Sequence, residues 1–564
     1  MSHFASMRNV ALRCLLATLL ACPVVSRADS LAGIIKAYEA LASQLDGNHG
    51  QGWPDVTPGA VGKRAAGYQA LRSRLSQLPA VAHREVEEET RALLAWKLDV
   101  LIEGVRFDEE RIPFDNGDGF FNTANYAAAQ TVLRDEADAR AWIDRLERLP
   151  AYYDAQIENM RRGLRSGFTQ PRTIAAGVLE ILRTAASQPA ESSPLLSPFE
   201  HFPATVSAEQ AGALRASALA VIHDRIKPSQ EKMVRFFENE YVPGARTSTG
   251  ARSLPDGEAY YPFLIRRSTT LPLSPEEVET LGRMEVRRLS GEMETAMRAT
   301  GWQGSLQEFM AMLRTDPRFY AKDLPTYVEK GSEVGKRVDA LLPRWFGKLP
   351  RLTWGIRRKP PEAEATSSGY DLGDPEKGVS GSVVIGSKSY LEPLFSLPSW
   401  ILHEGVPGHH LQIALAQERL DLPPFRRRDD ITAFVEGWAL YSEHLGEEMG
   451  VYRDPYEHFG RLAFNIWRAC RLVMDVGIHW HGQSPAEAEQ CLLDHTTLPR
   501  GTADYETARY TAWPAQALAY KIGELRILGI RRRAESALGA HFDVRAFHDR
   551  LLDDGPLPLP LLEQ

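Results

Sequence analysis

The segment from His403 to His410 reads His-Glu-Gly-Val-Pro-Gly-His-His and places imidazole and carboxylate groups close together. In the best-known zinc hydrolase pattern, two His four residues apart share one helix face, and the Glu after the first His acts as a base. Here the fourth residue after His403 is Pro407, which cannot bind a metal ion and lacks the N–H that would bond back to residue 403. We therefore expect no regular helix through this segment.

The second histidine ligand is expected to be His409 or His410. On an ideal helix, His409 would point roughly 120° away from His403, whereas His410 would share its face but lie about 10 Å along the axis, too far for one ion. A two-residue bulge at Pro407-Gly408 would bring His409 into place, and a three-residue bulge would do the same for His410. We expect His409 to bind, with His410 as the alternative.

A third protein ligand is expected from another helix, because catalytic zinc sites commonly use three protein ligands and leave the fourth position for water. Glu436 lies 27 residues after His409, in a segment with helical spacing. Glu443 would lie about two turns further along the same face, where it could accept a hydrogen bond from a ligand histidine. Two histidines and one carboxylate favour zinc, although the same set can hold non-haem iron. Glu404, as a base beside the ion, favours hydrolysis.

Helices are expected to position these side chains. Over residues 31–225, apolar residues recur at three- and four-residue spacing among many Ala, Leu, Glu and Arg, as in the stretch 91–102. Ser274 precedes Pro and two Glu, which is typical of a helix start, and a further helix is expected near Ser305. The helical pattern returns over residues 398–538.

The amino-acid composition changes between residues 352 and 390, where Gly, Ser and β-branched residues replace the helix-forming Ala, Leu and Glu. Residues 378–386 read as a short strand with Gly ends. An extended peptide could pair with its edge at Gly381 and Ser382, although a plain edge strand fits the pattern equally well. The predicted fold class is therefore mostly α, a large helical protein with a small β-sheet beside the active-site cleft.

The length and charge of the chain limit the number of lobes and the kinds of binding partner that can be expected. Its 564 residues favour two lobes, which we place at residues 29–250, a helical lobe, and 251–564, the lobe that carries the chemistry. The net charge is −8 and basic residues are scattered among acidic ones, so no nucleic-acid surface is indicated. Beyond the N-terminus, no stretch is apolar enough to span a bilayer.

Residues 1–28 read as an export signal, because two arginines precede an apolar run and a motif of small residues ends at Ala28. An alternative interpretation is a lipoprotein leader, in which Leu-Leu-Ala-Cys22 would supply a lipidated cysteine and the only contact with a membrane. Cleavage after Ala28 is favoured. Both interpretations predict an exported bacterial protein, either periplasmic or anchored in the envelope.

Only Cys470 and Cys491 lie outside this leader, so the chain is no disulfide scaffold. In an oxidising compartment the two could form one bond, and two buried thiols are an equally good interpretation.

Three strings carry a family resemblance: HEGVPGHHLQ from His403, FVEGWALYSEH from Phe434, and RYTAWPAQALAYKIG from Arg509. Together they resemble the bacterial family called domain of unknown function 885. That family in turn resembles helical gluzincin-type metallopeptidases, such as the carboxypeptidase Taq and oligopeptidase families. Dipeptidyl peptidase III is also similar, because its zinc motif carries an insertion between the Glu and the second His.

The resemblance implies zinc, Glu404 as general base and a peptide-like substrate. In the peptidases concerned, a Tyr or His downstream of the zinc helices stabilises the oxyanion. The candidates here are Tyr510, Tyr520 and His479, and Tyr510 is favoured.

Two of the downstream residues have alternative roles. His479 lies four residues after Asp475, itself four after Arg471, so the three share a helix face. The Asp could orient the His, or all three could form an exposed row of ion pairs. Arg509 could bind a substrate carboxylate with its planar guanidinium, although a pair with Glu506 is favoured.

The sequence thus predicts an exported zinc metallopeptidase that hydrolyses short peptides. A zinc amidase or esterase acting on a non-peptide substrate would use the same chemistry. A metal- or peptide-binding envelope lipoprotein without turnover is a further alternative, against which Glu404 argues because binding alone needs no base.

Overall fold

Helices form most of the chain in the computed structural model, which describes residues 30–45, 52–79, 85–359, 368–428 and 430–563. The predicted leader, including Cys22 and Ala28, lies outside the described residues. The first 14 helices precede the sheet: α1 Leu31–Ala42, α2 Pro58–Ser76, α3 Glu85–Val105, α4 Thr123–Gln130, α5 Glu136–Glu147, α6 Leu149–Ser166, α7 Arg172–Ser187, α8 Ala208–Val221, α9 Lys227–Phe236, α10 Val242–Gly244, α11 Gly257–Thr269, α12 Pro275–Ala299, α13 Leu306–Thr315 and α14 Leu324–Asp339.

Ten further helices follow the sheet and include those that carry the predicted site: α15 Leu397–Glu404, α16 His409–Glu418, α17 Pro424–Arg427, α18 Thr432–Glu448, α19 Pro455–His479, α20 Pro485–His495, α21 Arg500–Ala512, α22 Leu518–Leu538, α23 Val544–Asp553 and α24 Leu559–Leu562. The predicted mostly α class is confirmed. Among the described residues, none of these helices combines the length and the apolar composition that a membrane span requires.

Two helix starts follow the predicted capping chemistry. The hydroxyl of Ser274 accepts a bond from the N–H of Glu277 at 3.1 Å, and the N–H of Ser274 donates to the Glu277 carboxylate at 2.8 Å. Ser305 makes the same reciprocal pair with Glu308 at the start of α13. Such boxes satisfy N–H groups that have no partner within the helix.

The predicted small sheet has three strands, β1 Trp354–Arg358, β2 Gly369–Asp371 and β3 Gly381–Ile385. Their order is β1-β3-β2, with β3 parallel to β1 and antiparallel to β2. The prediction that Gly381 and Ser382 offer a free edge is wrong, because β3 is the central strand and both residues pair with β1. The buried side chains of Val383 and Ile385 on β3 belong to a hydrophobic cluster that also contains residues of α15 and α18.

The long helices α18 and α22 touch backbone to backbone at two glycines. A Cβ atom on Gly437 would lie 2.6 Å from Cα of Gly523, and one on Gly523 would lie 2.0 Å from the carbonyl oxygen of Ala433. No larger residue fits at this close approach. It brings the residues around Glu436 on α18 beside those around Tyr520 on α22.

Two clusters of buried hydrophobic side chains bear on the predicted division of the chain into two lobes at residue 250. One joins residues between Val56 and Ala245, within the predicted N-terminal lobe. Helices α1 to α3 share a second cluster with Phe425, whose ring packs against Tyr38 at 5.7 Å. The first three helices thus also contact the C-terminal half, and the boundary at residue 250 stays a prediction.

Cys470 and Cys491 form a disulfide bond that joins α19 to α20. The disulfide alternative is therefore the one the structure contains.

Candidate metal centre

The predicted interruption after His403 is confirmed, since α15 ends at Glu404 and α16 begins at His409. Pro407 has no N–H to donate. The N–H of Gly408 bonds back to the carbonyl of Leu402 at 3.0 Å, so the chain folds over the end of α15. The interruption spans four residues rather than the predicted two.

Gly408 lies directly against the backbone of α15. A Cβ atom there would meet the carbonyl oxygen of His403 at 2.0 Å and that of Leu402 at 2.4 Å. Trp438 secures the same loop, because its indole N–H donates to the carbonyl of Pro407 at 2.8 Å. Glycine is therefore required for the crossing that returns His409 to His403.

Replacing Gly408 by Ala is expected to destabilise the fold by about 3 kcal/mol, because the methyl group would overlap two carbonyl oxygens of rigid backbone. The matched control is Gly291→Ala in the middle of α12, where an added Cβ meets nothing within 4 Å. Thermal unfolding midpoints measure both. Equal midpoints for the two variants would contradict the proposed close packing.

The side chains of His403, His409 and Glu436 converge, and one ligand atom from each lies within 4.8 Å of the others. Oε2 of Glu436 is 3.4 Å from Nε2 of His403 and 3.6 Å from Nε2 of His409. Ligand atoms around a tetrahedral zinc ion, with bonds of about 2.0–2.1 Å, lie about 3.3–3.4 Å apart. The spacing of the three side chains therefore suits a zinc-sized ion.

Glu443 orients the first histidine of this group. Its Oε1 accepts a bond from Nδ1 of His403 at 2.8 Å, and its Oε2 accepts from the Ser399 hydroxyl at 2.7 Å. With a proton on Nδ1, His403 would have Nε2, the atom nearest Glu436, available for a metal ion. The predicted role of Glu443 as acceptor for a candidate ligand histidine is confirmed by this contact.

The charge around the three side chains is dominated by carboxylates. Burial opposes charge on His403, but the nearby carboxylates of Glu436 and Glu443 outweigh burial and raise its pKa to about 9. Burial would raise the pKa of Glu436, yet the two histidines hold it at about 2. Burial lowers the pKa of His409 to about 4. A proton on His403, or a cation in its place, is needed to balance the carboxylates.

Glu404 is the last residue of α15, next to His403. Burial raises its pKa to about 7, and the charge of Glu436 adds to this while His403 opposes it. Strand β2 passes beside the carboxylate, since a Cβ atom on Gly369 would lie 3.7 Å from Oε2 of Glu404. A carboxylate with a pKa near neutrality suits a general base.

His410 lies apart from the group formed by His403, His409 and Glu436, and its two ring nitrogens have other partners. Its Nε2 donates to the carbonyl of Leu352 at 3.1 Å, and its Nδ1 accepts from the Tyr370 hydroxyl at 2.9 Å. Its ring also stacks on Trp354. Both nitrogens are thus used in anchoring the sheet to α16, and the metal role considered for His410 is corrected to a structural one.

Tyr510, the favoured oxyanion donor from the sequence, is enclosed between α19 and α21. Its hydroxyl donates to the Glu506 carboxylate and accepts from Nε of Arg471 at 2.7 Å and from the Trp467 indole at 2.9 Å. No part of the side chain is exposed. This assignment is corrected, because the hydroxyl has no free capacity to face a substrate.

Tyr520 is the candidate that borders the group. Tyr520 helps to lower the pKa of the Glu436 carboxylate, and burial together with the charge of Glu436 raises the pKa of Tyr520 to about 12. Its ring faces Arg471, whose guanidinium carbon is 4.4 Å from the ring centroid. Of the two tyrosines proposed from the sequence, Tyr520 is therefore the one that borders the candidate centre.

His479 has a structural role, and both interpretations of its helix face are wrong. The face is buried rather than exposed, and Asp475 bonds to the Tyr261 hydroxyl and the Ala515 N–H instead of the histidine. Nδ1 of His479 accepts from the N–H of Ala251 at 3.1 Å, and Nε2 donates to the carbonyl of Tyr510 at 2.8 Å. Neutral imidazole satisfies both contacts.

His479 is expected to make the fold sensitive to acid. Burial lowers its pKa to about 3, and nearby Arg246 adds to this, whereas an unfolded histidine titrates near 6.5. Stability is therefore lost as the pH falls below about 6.5, by about 2 kcal/mol between pH 7 and pH 5. The variant His479→Gln should show a smaller drop in unfolding midpoint over this interval. The exposed His223→Gln is the control, and parallel pH curves for all three proteins would refute the assignment.

Arg509 pairs with Glu506, as the favoured interpretation held, through bonds of 3.3 and 3.0 Å, and its third nitrogen donates to Gln516 at 2.9 Å. Two residues that contact these histidines, Ser399 through Glu443 and Tyr370 directly, were not predicted from the sequence. Ser399 lies one helical turn before His403, a spacing that could have identified it. Tyr370 comes from a separate strand, and no local pattern relates it to His410.

Comparisons with known proteins bear on the fold. No curated protein sequence matches the chain. The crystal structure of a putative lipoprotein from Colwellia psychrerythraea is similar, with a TM-score of 0.87 and 24% identity over 94% of this chain and 97% of that one. The structure of a putative lipoprotein of unknown function from Shewanella oneidensis has a TM-score of 0.72 and 20% identity, covering 95% and 99% of the two chains. Residues 40–564 match a family described as bacterial protein of unknown function (DUF885), and the chain belongs to that family.

Proposed function

We propose that the protein is an exported zinc-dependent peptidase with its centre at His403, His409 and Glu436. The observation that carries the proposal is the convergence of these ligand atoms with Glu404 beside them. Oε2 of Glu436 and Nδ1 of His409 are buried without a hydrogen bond among the described residues. A buried carboxylate oxygen without a donor is costly unless a cation satisfies it. The residues present therefore fit a zinc ion.

His403, His409 and Glu436 would hold the ion, and a bound zinc ion would supply Lewis acidity towards a carbonyl and lower the pKa of water. Glu404 would take a proton from the attacking water and pass it to the leaving amine. Tyr520 would donate a hydrogen bond to the oxygen that gains charge. Glu443 would keep His403 in the required tautomer. We also propose that the protein is related to the gluzincin-type peptidases that its sequence motifs resemble.

Export is proposed on three grounds. The leader pattern of residues 1–28 carries the signal features described above. The bond between Cys470 and Cys491 is of a kind that persists in oxidising compartments. The two similar solved structures are of putative lipoproteins. A lipid anchor at Cys22 remains the alternative to a soluble periplasmic form.

Metal analysis and a peptide digest test the proposal together. The purified protein is expected to carry one zinc ion per chain and to cleave peptides in a mixed digest read by mass spectrometry, with activity lost after chelation. Absence of stoichiometric metal with the ligands intact would refute the metal centre. Zinc with cleavage of esters or simple amides alone would favour the amidase or esterase. Zinc without any turnover would favour a binding protein.

A further inference from the structure

A cavity of about 380 Å³ lies between helices α2 and α3 and shares no residue with the candidate metal centre. Val61, Ala65 and Tyr68 line it from α2, and because they are three or four residues apart they share one helix face. Leu101 and Val105 line it from α3. Volumes of roughly 300–1,000 Å³ with mostly apolar walls are typical of sites for small organic ligands. We call this cavity the interhelical slot.

The interhelical slot exists because the size of the side chains changes along the two helices. At one end, α2 and α3 bury four leucines in a common hydrophobic cluster: Leu71, Leu75, Leu94 and Leu98. Towards the other end the lining residues are smaller and include Ala65 on α2 and Gly104 on α3. Protein interiors normally leave few gaps larger than a water molecule. Small residues at these positions therefore keep a space open that larger ones would fill.

Three consecutive carboxylates border the interhelical slot just after α3 ends, on Asp108, Glu109 and Glu110. The first two have close basic partners. Asp108 is paired with Arg162, and Glu109 is paired with Arg267 at 2.6 Å. The third carboxylate is thus the one with capacity for a further partner.

Glu110 accepts no hydrogen bond from the residues that the structure describes. The nearest basic group is Arg64, whose Nη2 is 3.8 Å from Oε1 of Glu110, and Arg64 already donates to the carbonyl of Asp55 at 2.6 Å. The Glu110 side chain is 28% exposed, so a ligand in the slot can reach it. Burial raises the pKa of the Glu110 carboxyl, and the two preceding carboxylates add to this while Arg64 opposes it. A positive charge beside Glu110 is therefore favoured.

We propose that the interhelical slot binds a small apolar amine, with the ammonium group paired with Glu110 and the hydrocarbon part between α2 and α3. This site is separate from the candidate metal centre and does not depend on the proposed peptidase function. An ammonium group supplies the donors that the carboxylate lacks, and the apolar walls cover the hydrocarbon. An anion is disfavoured, because the two arginines that line the slot, Arg64 and Arg267, are outnumbered by its three carboxylates.

Calorimetric titration of the full chain with 2-phenylethylamine tests the proposal, and 2-phenylethanol is the neutral comparison. The amine is expected to bind roughly 10-fold more tightly than the alcohol, a gain typical of a hydrogen bond to a charged group. Glu110→Gln should remove this preference and leave binding of the alcohol unchanged. The matched control is Glu158→Gln, which removes a carboxylate on α6 that pairs with Arg165 at 2.8 Å. This control should bind both compounds as the parent does.

Ala65→Leu tests the shape of the interhelical slot rather than its charge. The larger side chain fills the space between the helices, so binding of both compounds should weaken by more than about 10-fold while the unfolding midpoint is maintained or raised. If Ala65→Leu bound both compounds as tightly as the parent, they would lie elsewhere and the site would be overturned. Equal binding of amine and alcohol to the parent would also overturn it, as would a preference that Glu110→Gln retains.

The amine could belong to a free small molecule or to the N-terminus of a peptide. Phe-Gly-Gly and its N-acetyl form distinguish these sources when titrated into the Glu404→Gln chain, which prevents cleavage. Binding of the free tripeptide as tightly as 2-phenylethylamine, lost on acetylation and on Ala65→Leu, would support a peptide N-terminus in the slot. Binding of 2-phenylethylamine alone would support a free amine.

Discussion

Replacing Glu404 by Gln is expected to reduce peptide hydrolysis by roughly 10³-fold, the contribution typical of a positioned general base. Gln has nearly the same shape, but it cannot accept the proton of the attacking water. Because Glu404 is not among the three candidate ligands, the variant should keep one zinc ion per chain. Hydrolysis rates and metal content, measured on the same preparation, check both parts of the prediction.

Glu392→Gln is the matched control, because burial also raises the pKa of Glu392, which lies outside the candidate centre. We expect this variant to hydrolyse peptides at the parent rate. If Glu404→Gln cleaved peptides as fast as the parent, the proposed mechanism would be wrong. Loss of zinc from Glu404→Gln would instead indicate that this carboxylate is needed to form the site.

His409→Ala is expected to weaken metal binding and His410→Ala to leave it unchanged, although the two residues are neighbours. Removing His409 takes away one of three converging ligands and should lower zinc affinity by more than about 100-fold. This loss exceeds the one usually seen when a residue that only hydrogen-bonds to a ligand is replaced. Removing His410 breaks the bonds to Tyr370 and Leu352 and should leave zinc in place.

The substitution His410→Ala should instead lower the stability of the fold. The Tyr370 hydroxyl and the Leu352 carbonyl would lose their partner, so the free energy of unfolding should fall by about 2–3 kcal/mol. Titration with a zinc indicator and thermal unfolding separate the two variants. Retention of zinc by His409→Ala together with loss from His410→Ala would reverse the assignment of the ligands.

The sequence sufficed for features that depend on local backbone chemistry. Pro407 lacks an N–H, and this alone predicts the break after His403. Ser274 and Ser305 identify their helix starts because capping is complete within four residues. Helical spacing placed Glu436 and Glu443 on one face, and the contact of Glu443 with His403 follows from that spacing.

The choice between His409 and His410, and between Tyr510 and Tyr520, depended on contacts with residues that are distant in the sequence. His410 is engaged by Leu352 and Tyr370, and Tyr510 by residues of α19, so neither choice could be made from spacing. The central position of β3 follows from β1 and β2 pairing on its two sides, which a single strand pattern does not reveal. The local periodicity of the sequence does not show which residues will form hydrogen bonds with a given polar side chain.

The glycine contact between α18 and α22 makes the site depend on two distant segments of the chain. The two histidines are six residues apart and are brought together by a loop that closes on its own helix end. Tyr520 reaches Glu436 only after α22 has docked at Gly437 and Gly523, a pairing across more than 80 residues of chain. The histidine pair therefore lies within one short segment of chain, whereas the contact between Glu436 and Tyr520 requires the C-terminal segment. A chain truncated before α22 would lack the tyrosine that borders Glu436.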